Sequence, residues 1–145
     1  MRDLLQTRLS LTDAEVGRVV RRGPLGARAT VEPKLQWLQA RLDLDDAGLR
    51  KIVLTLPPLL GLSVKDNLEP TLEFLAQDIG LSRAELREHV LRIPAILAYS
   101  LDKRYRPRVE ASRAAGVDAT YVLTNIPLTD EKFYKRLERR GRAQV

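Results

Sequence analysis

The sequence predicts an all-α protein built as a helical-repeat solenoid. When the sequence is aligned with itself at an offset of 37 residues, Pro33, Pro70 and Pro107 coincide. Residues 33–64 then share 12 identities over 32 positions with residues 70–101. Leu, Ala and Arg are abundant while aromatic residues make up 5% of the chain, which favours helices packed through aliphatic side chains. Each period holds two short amphipathic stretches separated by proline, a pattern typical of units that bury their apolar faces against neighbouring units.

The repeat at residues 67–103 shows the plan of one unit most clearly. Pro70 suits the first turn of a helix, where its missing N–H leaves no hydrogen bond unmade. Ser82 and Glu85 have the spacing of a capping box that starts a second helix. Pro94 disfavours a longer helix, so the apolar residues that follow are expected to turn back as a short 3₁₀-like segment. One unit is therefore two helices and a short 3₁₀ turn.

The rest of the chain is interpreted as further units of one repeat domain. In the first part, Thr12 and Glu15 predict another capping box, and Gly23-Pro24 predicts the end of that helix. Because the chain begins inside a repeat, we expect that upstream repeats have been lost; the alternative is that this end docks against another molecule. The single domain, residues 1–145, divides into a half repeat at 1–29, a repeat at 30–66, a repeat at 67–103, and a degenerate C-terminal repeat with a basic helix at 104–145.

The net charge of +6 is concentrated in the last third of the chain. Residues 1–102 hold 14 Lys or Arg and 14 Asp or Glu, whereas residues 103–145 hold 11 and 5. A polyanion would be attracted to that last part first. The alternative is that these cations are only the solvated ends of helices in an Arg-rich protein.

Four stretches of the repeats carry a family resemblance: Leu56–Val64, Asn67–Leu75, Gly80–Ser82 and Ile93–Leu101. Helix, proline, paired aliphatic residues and then an apolar-Ser turn occur twice, and the tail Thr129–Leu137 has the character of a closing segment. These motifs resemble the mitochondrial transcription termination factor family, mTERF.

The resemblance covers the chain from Thr30 onward and implies a left-handed superhelix that works in mitochondria or chloroplasts. In that family a basic concave groove binds double-stranded DNA or, in some members, structured RNA. Members act in organellar transcription and its termination, in ribosome assembly or in intron processing, and some dock a partner enzyme. The activity that the resemblance implies is binding, without catalysis.

From this we predict a monomeric protein that binds organellar nucleic acid, foremost double-stranded DNA, and regulates or terminates transcription. The alternative is a helical scaffold that docks a protein partner, such as an RNA-modifying enzyme, or structured RNA. No membrane association is expected, because no apolar run has the roughly 18 residues of a spanning helix.

Clusters of cations supply the candidate phosphate contacts. The densest cluster opens the last full helix, where Arg104 and Arg108 share a helix face and Arg106 points elsewhere. On the terminal helix, Lys132, Lys135, Arg136 and Arg139 lie along one side, although cations near a C-terminus also suit the helix dipole. Arg92 has two interpretations, as a groove residue or as a partner of a neighbouring carbonyl. The candidate nucleic-acid-binding residues are Lys103, Arg104, Arg106, Arg108, Arg92, Lys65, Lys34, Lys135, Arg136 and Arg139.

Sequence motifs for catalysis are missing, and aromatic residues are assigned to packing. With one histidine, His89, no cysteine and no Gly-rich phosphate loop, the sequence predicts neither an enzyme nor a metal or cofactor site. Trp37 and Phe74 occupy matching repeat positions and are predicted to be core residues. Tyr99 and Tyr105 are predicted to pack between repeats rather than stack on bases.

Overall fold

The computed structural model describes residues 2–21 and 28–143, with side chains for 2–21 and 31–142. These residues form helices and turns and contain no strand, so the all-α prediction is confirmed for them. The predicted helix end at Gly23-Pro24 lies outside the described residues. The described chain divides into two compact units, residues 1–98 and 99–145, and each is considered by itself.

The described residues of the first unit, 2–21 and 28–98, include six α-helices and two 3₁₀ segments. The helices are α1 (Arg2–Leu9), α2 (Asp13–Arg21), α3 (Arg28–Leu42), α4 (Asp46–Thr55), α5 (Glu69–Gln77) and α6 (Arg83–Arg92). The 3₁₀ segments, Pro57–Gly61 and Pro94–Leu97, each begin two residues after the last residue of α4 or α6; Pro94 predicts the second, and Pro57 has the same place in the preceding repeat.

Periodic leucines build the core of the first unit. On α3, Leu35, Leu38 and Leu42 are fully buried, and on α4 Leu49 and Ile52 are fully buried as well. Their spacing of three and four residues places each set on one side of its helix, where it is removed from water. The apolar stripes predicted from the sequence are therefore the packing surfaces of this unit.

Both predicted capping boxes are confirmed. The Ser82 hydroxyl accepts from the Glu85 N–H at 3.1 Å, and the Glu85 carboxylate accepts from the Ser82 N–H at 3.0 Å. The hydrogen bond from the Ser82 backbone holds the pKa of Glu85 below its ordinary value. Thr12 and Glu15 make the same reciprocal pair at 3.2 and 2.9 Å.

A five-residue π turn precedes two of the repeat prolines. Val64–Leu68 leads into the helix that holds Pro70, and Leu101–Tyr105 leads into the helix that holds Pro107. A proline ring clashes with the carbonyl four residues earlier, and the wider π turn moves that carbonyl away. The side chain of a serine caps each turn, so the repeated Ser of the sequence has a structural explanation.

Pro33 departs from this plan. The sequence predicts it in the first turn of a helix, but α3 begins at Arg28 and Pro33 lies inside it. Residues 28–32 include good helix formers, and Val31 is fully buried. Helix propensity and burial there outweigh the one hydrogen bond that proline cannot donate.

The second unit contains α7 (Arg106–Ala114), α8 (Thr120–Thr124) and α9 (Asp130–Ala143). The helix α9 has the position and amphipathic character predicted for a final basic helix. It buries Phe133 and Leu137, which are 0% and 5% exposed, and leaves its cations on the outer side. Val122 and Leu123 of α8 complete the apolar core of this unit.

Candidate nucleic-acid interface

A cleft beside α9 in the second unit brings several basic side chains together. Lys132, Lys135, Arg136 and Arg139 line it together with Leu128, and its volume is about 200 Å³. Residues three, four and seven positions apart share one side of a helix, so a single face of α9 presents all four cations. We call this surface the α9 cleft. It contains three of the sequence-predicted candidates and the neighbouring Lys132.

The four cations of the α9 cleft differ in how firmly they are held. Arg136 donates to the side-chain oxygen of Asn125 at 3.0 Å, which fixes its guanidinium against the loop before α9. Lys135 pairs with Glu131 at 3.1 Å, but both side chains are exposed, so this pair contributes little. Lys132 and Arg139 have no side-chain partner in the described part of the chain. Those two can meet an incoming phosphate without giving up an existing contact.

Arg108 lies inside the protein. Its side chain has 0% exposure, and its guanidinium donates to the carbonyl oxygens of Ile126 at 3.2 Å and Leu128 at 2.7 Å, and to the Asp130 carboxylate at 2.9 Å. The guanidinium also lies 4.6 Å from the centre of the Phe133 ring. A side chain so enclosed does not reach a phosphate. Instead, the hydrogen bonds of Arg108 connect α7 to the loop that leads into α9.

The other cations of the predicted cluster are distributed between structure and solvent. Arg104 donates to the carbonyl of Ile126 at 2.8 Å and is partly buried. Arg106 is exposed and donates to the exposed Asp102 at 3.1 Å, one helical turn earlier. Lys103 is exposed. The structure thus does not bring the four together as one phosphate-binding face.

In the first unit, the candidates separate in the same way. Lys34 is 8% exposed and donates to the carbonyl oxygen of Leu60 at 2.7 Å. Its burial lowers the pKa of the ammonium group from the ordinary value, because desolvation disfavours the charged form. Lys65 and Arg92 are exposed and remain open to solvent.

Lys34 and Arg108 are buried for a shared reason. Each directly follows a repeat proline, as does Thr71 in the repeat between them, and the three are 8%, 0% and 4% exposed. The position after this proline therefore faces inward in every repeat that the structure describes. A Lys or Arg side chain at that position donates hydrogen bonds to backbone carbonyl groups of its own unit.

Comparison with known families agrees with the repeats. The family model for mTERF matches residues 1–134 of the 145 residues. The chain belongs to the mTERF family. A search of curated proteins found no significant match.

For an mTERF protein, the family indicates a nucleic-acid-binding role in organellar gene expression and a place in mitochondria or chloroplasts. It is a family of nucleic-acid-binding repeats that are generally not enzymes. Within the described residues, no three His, Asp or Glu side chains gather as a potential metal site. No described helix combines the length and apolar character that a bilayer-spanning segment requires.

Several contacts in the second unit have no signal in the sequence. Asn125 orients Arg136, and Arg140 lies 5.2 Å from the centre of the Tyr121 ring; neither pairing has a local sequence signal. Tyr105 is fully buried, which confirms the packing interpretation, and burial raises the pKa of its hydroxyl. Tyr99 lies under the Arg104 guanidinium at 4.5 Å.

Proposed function

We propose that this mTERF protein binds double-stranded DNA through phosphate contacts in the α9 cleft, and that it acts in the regulation or termination of organellar transcription. The observation that carries the proposal is the convergence of four cations from one helix face on one concave surface. Lys and Arg in such a place form charge-assisted hydrogen bonds with phosphate oxygens.

The dimensions of the α9 cleft suit successive phosphates. Lys132 and Arg139 are seven residues apart, which corresponds to about 10 Å along a helix axis. One strand of B-DNA advances about 3.4 Å per phosphate along the duplex axis but also winds round that axis, so this length is enough for the outer cations to reach different phosphates. The cations can therefore contact several neighbouring phosphates of one backbone.

The surrounding charge supports attraction from a distance. Residues 103–145 carry an excess of six positive charges, and Lys103, Arg106 and Arg142 are among the exposed cations outside the cleft. Long-range attraction of this kind raises the association rate and is screened by salt. Phosphate contacts carry no base information, so the α9 cleft is expected to bind duplexes of different sequence alike. The concave groove across repeats, implied by the family resemblance, stays a prediction.

A comparison of ligands tests this function. Fluorescein-labelled 20-base-pair DNA, RNA duplex of the same sequence and the corresponding single strand would be titrated with the protein at 50 mM salt and followed by fluorescence anisotropy. We expect micromolar or tighter binding to duplex DNA and weaker binding to the other two, because cations in register with B-form phosphates match the other geometries less well. Preference for duplex RNA would favour structured RNA as the ligand. Absence of binding to all three would favour the protein scaffold.

A further inference from the structure

A second concave site lies in the first unit, away from the α9 cleft. It has a volume of about 430 Å³ and is lined by Trp37, Ala40, Arg41 and Arg83. Trp37, Ala40 and Arg41 are spaced by three and four residues on α3, so they form one ridge of that helix. Arg83 faces them from the start of α6. We call this surface the Trp37 cavity.

The two helices that form the Trp37 cavity are joined by arginine contacts. The guanidinium of Arg83 donates to the carbonyl of Ala40, and the guanidinium of Arg87 pairs with the Asp43 carboxylate at 3.1 Å. Arg87 also donates to the Asp43 carbonyl at 3.3 Å. These contacts hold the start of α6 against the end of α3. The wall of the cavity is therefore formed before any ligand arrives.

The repeat architecture does not by itself require these side chains. The residue in register with Trp37 is Phe74, which is 6% exposed, whereas Trp37 is partly exposed and faces the cavity. The prediction that both are core residues is thus right for Phe74 and wrong for Trp37. Ala40, Arg41 and Arg83 have Gln77, Asp78 and Thr120 at the positions 37 residues later.

We propose that the Trp37 cavity binds one unpaired nucleotide of a single-stranded nucleic acid. The base stacks on the indole of Trp37, and Arg41 and Arg83 contact the phosphate. An aromatic plane beside two guanidinium groups matches the two parts of a nucleotide, which has a flat apolar ring and an anion. Pockets for small ligands have volumes of about 300–1,000 Å³, a range that includes this cavity.

The positive charge of Arg41 and Arg83 favours an anionic ligand. Neither arginine forms an ion pair in the described part of the chain: Arg83 donates to a backbone carbonyl, and Arg41 has no side-chain partner there. Both keep their charge for an anionic ligand. This inference is independent of duplex binding by the α9 cleft, because all four lining residues belong to the first unit.

Trp37 supplies the measurement, since it is the one tryptophan of the sequence. Titration with single-stranded octathymidylate, followed by tryptophan emission, is expected to give saturable quenching as a base stacks on the indole. The variant Arg41→Ala with Arg83→Ala keeps the reporter and is expected to bind at least about tenfold more weakly. The variant Lys132→Ala with Arg139→Ala should leave the quenching midpoint within about threefold. Circular dichroism would verify that each variant is folded.

Two further ligands and a second variant keep the proposal falsifiable. An abasic oligonucleotide of the same length should leave Trp37 emission almost unchanged, and Trp37→Leu should weaken labelled octathymidylate binding about tenfold in anisotropy, the effect of one lost stacking contact. The proposal is overturned by quenching that does not saturate, by an abasic strand that binds as well as the intact one, or by a Glu-rich peptide that displaces the oligonucleotide. Equal affinity of the double arginine variant and the unmodified protein would also overturn it.

Discussion

Replacing Arg108 by alanine is expected to lower the free energy of unfolding by about 3 kcal/mol. The substitution removes the donor that the carbonyl oxygen of Leu128 has at 2.7 Å, whereas the carbonyl of Ile126 loses its bond at 3.2 Å but keeps the one from Arg104 at 2.8 Å. It also opens a cavity against the Phe133 ring. The Asp130 carboxylate also loses its partner, but it is 72% exposed and water can solvate it, so the expected cost comes from the unpaired carbonyl group and from the cavity.

Urea unfolding followed by far-ultraviolet circular dichroism would measure this loss. Arg106→Ala is the matched control, since Arg106 is two positions away on the same helix, exposed, and bonded to an exposed carboxylate. Its expected effect is within about 0.5 kcal/mol. A similar small change for Arg108→Ala would contradict the assignment of Arg108 as the fastening between α7 and the loop before α9.

Removal of two cations from the α9 cleft should cause the largest loss of affinity. With Lys132→Ala and Arg139→Ala, we expect duplex DNA binding at 0.1 M salt to weaken by about 100-fold, because each lost phosphate contact is worth about tenfold there. The free energy of unfolding should stay within about 0.5 kcal/mol, since both side chains are exposed. Fluorescence anisotropy with labelled duplex DNA would measure the affinity.

A control for net charge is needed in that experiment. Arg113→Ala with Arg142→Ala also removes two positive charges from the second unit, and neither exposed residue lines the α9 cleft. We expect this pair to weaken binding by less than about fivefold, through the loss of long-range attraction alone. Equal losses for the two double variants would mean that total charge, and not the α9 cleft, determines affinity.

Local signals in the sequence predict much of the fold. Ser82 and Glu85 satisfy each other within one turn, and Pro57 and Pro94 end helices through clashes with their own neighbours. Such effects depend on a few adjacent residues, so they can be read without the tertiary structure. The α9 helix was predictable for a similar reason, since its apolar and cationic sides alternate with the helical period.

Local signals do not predict which of the individual cations are buried and which are exposed. Arg104 and Arg108 do share a helix face, but that face meets carbonyl groups 17 to 22 residues further along the chain. Helical spacing shows which residues are on the same side and not what covers that side. The one available clue was Thr71, a small residue in register with Lys34 and Arg108, at a position that is buried in each case.

Trp37 is the converse case, a residue predicted to be buried that is partly exposed. Its register with Phe74 predicts burial, yet the short Ala40 side chain leaves open space beside Trp37. The π turns have no sequence signal either, because they differ from an α-helix only in hydrogen-bond register and have no distinctive composition.

The salt dependence of duplex DNA binding tests the central claim most directly. Four phosphate contacts predict a slope of log affinity against log salt of about −3.6, so affinity should fall by about 100-fold between 50 and 200 mM salt. For Lys132→Ala with Arg139→Ala, the slope should decrease in magnitude to about −2. A flat salt response of the unmodified protein, or an identical slope for the variant, would contradict phosphate binding in the α9 cleft.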